Sequence, residues 1–147
     1  MNIVSALLVC LFLTFAAFGQ TAESENKEEI SVEEITLFKD DGSDASGDEA
    51  EVFSPNDVPI HCSILLNSFE IAMIKMQIVA VKAAGIKTGT KIVTVNYKTN
   101  GKHNSVNFTA SPADVWAVGK YRVEILIDGK LSGSKEFEVS KAATPKL

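Results

Sequence analysis

An antiparallel β-sandwich of seven strands is the fold that this chain of 147 residues predicts. Period-two alternation of apolar and polar residues recurs after residue 58 and is most regular from Tyr121 to Ile127. Turn-forming clusters separate these runs at Ser54-Pro55-Asn56-Asp57, Asn100-Gly101, Ser111-Pro112 and Asp128-Gly129. No sustained helical period competes with that pattern, which leaves an all-β class.

The first segment, MNIVSALLVCLFLTFAAFG, carries no charged side chain, and Ala17 and Gly19 place small residues two apart before Gln20. This is the pattern of a cleaved signal peptide over residues 1–19. It implies a secreted or periplasmic protein with no stable membrane insertion after cleavage. A retained anchor fits less well because the run is short for a span, and lipidation of Cys10 fits less well because Val9 precedes it. What remains has the length of one domain. Only Cys62 survives cleavage, so no internal disulfide can form, and a buried thiol acting as a small hydrophobe is expected. Oligomeric state stays open.

Charge is distributed unevenly along the chain. Residues 20–57 hold thirteen acids against Lys27 and Lys39, whereas residues 58–147 hold twelve basic residues against six acids. The expected organisation is an acidic disordered arm over residues 20–33, a β-sandwich domain over 34–140 with an acidic loop at 40–52, and a flexible tail over 141–147. The arm either keeps the protein solvated or lies on the domain's own basic face.

The strands follow in order. Residues 34–39 make the first, with Ile35 and Leu37 on one face. DDGSDASGDEAE after it is too rich in Gly, Ser and Asp for a strand, and its oxygen ligands raise the question of calcium. EF-hand spacing fails there, because the position that needs Gly would be Ala45 or Glu49. In the second strand, 59–66, Ile60, Cys62, Ile64 and Leu66 point inward. The third, 73–82, has apolar residues on both faces and is expected to be central.

Two hairpins complete the set. Asn100-Gly101 is a strong type I′ signal between strands at 91–98 and 102–109, and a two-residue loop would set Val93 opposite Phe108 and Val95 opposite Val106. The last two strands, 120–127 and 131–139, flank Asp128-Gly129. A two-residue loop would put Phe137 on the wrong face, so either a three-residue Asp128-Gly129-Lys130 loop or a bulge near Gly133 must set Tyr121 opposite Phe137.

Strand six, with Gly119, Tyr121 and Val123 spaced as in D-x-G-x-Y-x-C, resembles the immunoglobulin-like and fibronectin type III-like β-sandwich superfamily, in the form of an uncharacterised bacterial exported variant lacking the disulfide. Ala117 and Val123 stand where that pattern has Asp and Cys, so inward-facing Cys62 has no partner opposite. The resemblance implies a tyrosine corner at Tyr121. It speaks for a fold rather than an activity.

Chemistry is sparse. His61 and His103 have no nucleophile at local spacing, so no catalytic residue is assigned and the protein is expected not to be an enzyme. Met73, Met76 and the histidines lack a metal-ligand array, and no cofactor is implied. The scattered basic residues, with one Arg, argue against nucleic acid. Asn107-Phe108-Thr109 is a glycosylation sequon if the chain follows a eukaryotic secretory route. The candidate binding surface is a polar ladder of Thr94, Asn96, His103, Ser105 and Asn107, with Trp116 either covering the end of the core or stacking on a ligand. Cys62, Gly119, Tyr121, Val123 and Phe137 are expected to be structural. The leading reading is an exported, non-enzymatic interaction module for a protein or glycan partner, and the alternative is a secreted protein that binds a small ligand or an ion, calcium or a glycan.

Overall fold

The computed structural model describes residues 27–43 and 46–141. The predicted signal peptide, residues 20–26 of the acidic arm and the tail beyond Lys141 lie outside them. Among the described residues nine strands are present where seven were expected: β1 (Val32–Asp40), β2 (Ser46–Glu49), β3 (Val52–Phe53), β4 (Ile60–Leu66), β5 (Met73–Ala83), β6 (Lys91–Lys98), β7 (Ser105–Ala110), β8 (Gly119–Ile127) and β9 (Lys130–Val139). They form two sheets, one ordered β2-β1-β4-β7 and the other β3-β9-β8-β5-β6.

Each sheet buries one face against the other. Leu37, Ile60, Cys62, Ile64 and Leu66 enter the interior from the four-stranded sheet, and Ile74, Met76, Ile78, Val123 and Ile125 from the five-stranded one. All are fully buried, and each large aliphatic side chain removed from water in this way contributes roughly 1.5–3 kcal/mol. The alternation in β4 and β8 is the direct cause, since successive side chains of a strand point to opposite faces. β5 lies between β8 and β6, and Gln77, Val79 and Ala80 are buried along with the inward residues Ile74, Met76 and Ile78.

The hairpin expected at Asn100-Gly101 does not form. β6 pairs with β5, setting Val93 opposite Ile78 and Val95 opposite Met76, while β7 pairs with β4, setting Val106 opposite Ile64 and Phe108 opposite Cys62. The turn therefore crosses from one sheet to the other. Gly101 does take a positive φ of 76°, but the pairing partners were decided by burial of both strands against the common core.

The acidic loop is partly strand. β2 folds back on β1, with Phe38 opposite Glu49 and Asp40 opposite Ser46, and the two-residue β3 runs parallel to β9. Low strand propensity is overridden because an edge position asks for backbone hydrogen bonds more than side-chain packing. β1 also begins at Val32, inside the segment expected to be a disordered arm. Asn67 holds that segment, its Oδ1 accepting from Ser31 N at 2.8 Å and its Nδ2 donating to Glu29 O at 3.1 Å. At the other hairpin, a two-residue Asp128-Gly129 turn sets Ile127 opposite Lys130, and a register shift between Ile125 and Leu126 brings Gly133 opposite Ile125. Of the two alternatives, the bulge near Gly133 is the one the chain uses.

Candidate functional site

The Trp116 end of the sandwich is packed rather than open. Trp116 is 1% exposed, its Nε1 donates to Asp57 O at 3.1 Å, and its ring meets Tyr121 and Phe137 edge-on at 5.5 and 5.9 Å. Phe53 completes the cluster against Phe137 at 5.6 Å. A shallow cleft of about 250 Å³, lined by Ile86, Ile92, Pro112 and Val115 among others, touches the Trp116 edge. No ring face is left for a ligand to stack on. Tyr121 donates its hydroxyl proton to Ala117 O at 2.6 Å, and burial pushes the phenol's pKa up.

The polar ladder is split between the two sheets. Thr94 and Asn96 lie on the outer face of the five-stranded sheet, opposite Gln77 and Lys75. Ser105 and Asn107 lie on the outer face of the four-stranded sheet, opposite Leu65 and Ser63. His103 is exposed in the loop before β7 and joins neither row. The five residues therefore do not make one surface, because the hairpin that would have aligned them is absent.

Each outer face instead carries a group that the spacing did not reveal. On the four-stranded sheet, His61 Nε2 lies 3.1 Å from Asp40 Oδ1 and its Nδ1 lies 3.3 Å from Thr109 Oγ1. Acid, imidazole and hydroxyl thus line up in a row, on a flat face of neighbouring strands. On the five-stranded sheet, Gln77 Nε2 donates to Glu124 Oε2 at 2.6 Å, and Arg122 grips Glu124 Oε1 through Nε and Nη2 at 2.9 and 2.7 Å. The Gln77 hydrogen bond, followed by the Arg122 guanidinium, holds the Glu124 carboxyl below its usual range.

The most unusual surface lies at the other end. Residues 67–72, the loop 99–104 and the turn 128–129 meet there. Phe69 is 58% exposed and Ile71 63%, with Met73, Tyr97 and Leu131 also open to solvent. The loop that carries Phe69 and Ile71 is pinned: buried Thr99 accepts from Ala72 N at 2.8 Å and donates to Glu70 O at 2.7 Å. Thr99 N also donates to Ala72 O, and Met73 exchanges bonds with Asp128. Beside it a cleft of about 520 Å³ opens between Glu29–Ser31 and the β8–β9 turn, with the Glu29–Lys130 ion pair at its margin. Sequence reading passed over this end because turn-rich segments are expected to be polar; its only signal was two large apolar residues, Phe69 and Ile71, inside one.

Among the described residues no group of three or more His, Cys, Asp or Glu is placed to hold a metal ion. Cys62 is a free, buried thiol whose pKa burial pushes up to about 12.

No protein-family model matches the chain, and no curated protein matches it significantly. Solved structures do. An immunoglobulin-like protein from Pseudomonas aeruginosa superposes with a TM-score of 0.52 at 10% identity, over 78% of this chain and 99% of that one. The alkylpurine DNA glycosylase AlkC of Pseudomonas fluorescens, bound to DNA containing an abasic site analog, matches with a TM-score of 0.50 at 18% identity, over 78% of this chain and 31% of that one. The fold is an immunoglobulin-like β-sandwich.

Proposed function

We propose that this immunoglobulin-like sandwich is an exported, non-enzymatic interaction module that binds a partner protein through the loop end carrying Phe69 and Ile71. The observation that carries the reading is the pinned display of exposed apolar side chains. Large apolar groups held in water in one conformation lose little entropy when a partner covers them. The charged clusters of the outer faces support binding less, since Asp40 with His61 and Glu124 with Gln77 and Arg122 already satisfy one another. The Asp40–His61–Thr109 row lies in a flat sheet face, whereas acyl transfer requires a concave site with oxyanion donors. A DNA partner is not proposed for the chain, because its basic residues include only one Arg and lack interleaved clusters of aromatic residues.

Affinity capture from a native envelope fraction tests the reading. The unaltered domain is expected to retain a protein that a Phe69→Ala/Ile71→Ala variant does not, while a Thr94→Ala/Asn96→Ala variant retains it. Equal retention by all three would overturn it. The cleft beside Lys130 carries a second reading, in which a glycan binds there. Melting in the presence of a glycan panel checks it, since a ligand that binds only the folded state raises Tm.

A further inference from the structure

The sandwich is electrically lopsided from one lateral side to the other. β5, β6, β7 and their connections, residues 71–113, contain no Asp or Glu and six lysines: Lys75, Lys82, Lys87, Lys91, Lys98 and Lys102. Among the described residues none of the six closes an ion pair. Lys91 lies within Coulombic reach of Glu124, whose carboxylate is already held by Gln77 and Arg122. The opposite side, residues 32–53 with 130–139, holds nine acids against three lysines among the described residues.

The basic side, where β6 and β7 approach each other without pairing, is also the less closed one. β6 ends the five-stranded sheet and β7 ends the four-stranded sheet, so among the described residues each has a strand on one flank only. On the acidic side β3 pairs with β9 and β1 packs against β9, which closes the gap between the sheets. On the basic side the inward row of β6 stays unfinished. Val93 and Val95 lie opposite fully buried Ile78 and Met76 yet are only partly buried, and Tyr97, opposite Ile74, is 44% exposed.

We infer that the free edge of β6, Lys91–Lys98, accepts an extended acidic peptide segment of a partner as an added strand. The backbone of an eight-residue edge offers the hydrogen bonds, and Val93, Val95 and Tyr97 offer apolar contact to every second residue of the incoming chain. Lys91 and Lys98 at its two ends select by charge. A second β6 would bring lysines against lysines and is disfavoured, so this edge does not pair with its own copy. An acidic strand meets the opposite field and gains both approach rate and register from it. This rests on the chain being an interaction module, but the edge and the loop end are separate surfaces and either can fail alone.

The probe is an eight-residue peptide alternating Glu and Val, with a Lys/Val peptide as control, titrated into the isotopically labelled full mature chain. The expected result is binding of the Glu/Val peptide with amide shifts and slowed exchange confined to residues 91–98 and their flanks. Affinity should fall at least about tenfold from low to high salt. A folded Lys91→Glu/Lys98→Glu variant should lose the Glu/Val peptide and gain the Lys/Val one, while Phe69→Ala/Ile71→Ala leaves both titrations unchanged. Any of four results would overturn the proposal: neither peptide binding at millimolar concentration, both binding equally, a DNA duplex protecting the same residues in place of the peptide, or concentration-dependent self-association through β6. Capture failure of the Phe69/Ile71 variant with intact peptide binding, or the reverse, tells the two surfaces apart.

Discussion

Tyr121 lies directly opposite Phe137 across the β8–β9 hairpin, its ring stacked on that of Phe137 at 5.3 Å with 14° between the planes, while its hydroxyl reaches back to Ala117 O at 2.6 Å. One side chain thus fixes the hairpin register and ties down the chain that enters β8. Tyr121→Phe keeps the ring and leaves a carbonyl without its donor. A loss of about 1–3 kcal/mol in urea unfolding is expected, with the amides around Ala117 exchanging faster.

Gly119 sits where β8 begins, at φ 152°, and a Cβ there would stand 2.2 Å from Lys82 O and 2.4 Å from Ala83 Cα. Neither backbone atom can yield cheaply, since β5 and β8 are paired there. Gly119→Ala is expected to cost more than about 2 kcal/mol, whereas Gly129→Ala, in a turn with open space, costs about 1–2 kcal/mol through its positive φ alone. Paired denaturant melts of the two variants check the order.

Cys62 should be chemically silent in the folded protein. With its pKa pushed up to about 12 by burial, it carries almost no thiolate at pH 8, so iodoacetamide labels it only through unfolding. Cys62→Ala is expected to cost about 1–2 kcal/mol, and Cys62→Ser somewhat more because its hydroxyl enters the core.

How far each element was legible follows from what its alternation had to decide. β4 could be read directly, because Ile60, Cys62, Ile64 and Leu66 make one face wholly apolar and that face had to be buried. β8 and β9 were read through the Tyr121–Phe137 constraint. Val93, Val95, Val106 and Phe108 were also correctly inward, yet the period of two says which face is buried and not which strand lies alongside. β6 and β7 satisfy the same pattern from opposite sheets. β2 was illegible because Ser46–Glu49 has no apolar face to show; it exists because β1 offers a free edge. The groups on the outer faces, Asp40 with His61 and Gln77 with Glu124, join residues 21 and 47 positions apart and needed the register before they could be seen.

Acid should weaken the fold through Glu124. Its folded-state pKa lies below the ordinary value of 4.5, so its contribution is complete above that value and is lost as pH falls through the depressed one. Glu124→Gln is expected to be less stable than the unaltered protein at neutral pH and to narrow that gap on acidification, measured by melting from pH 7 downward.

Thr99→Val removes the donor and acceptor that pin residues 70–72 while keeping the side chain's size. The expected cost is about 1–3 kcal/mol, with faster amide exchange at Ala72 and weaker partner capture even though Phe69 and Ile71 are unchanged.

The parallel pairing of β3 with β9 joins places far apart in the order of synthesis. Glu51 O and Phe53 O accept from Glu138 N and Ser140 N, both at 2.9 Å. A chain made from its N-terminus therefore waits, with Phe53 lacking its ring neighbour Phe137 and the lateral seam unclosed, until residues 137–140 have emerged. The seam between β3 and β9 is thus a contact of high sequence separation, closed only once β9 has been made.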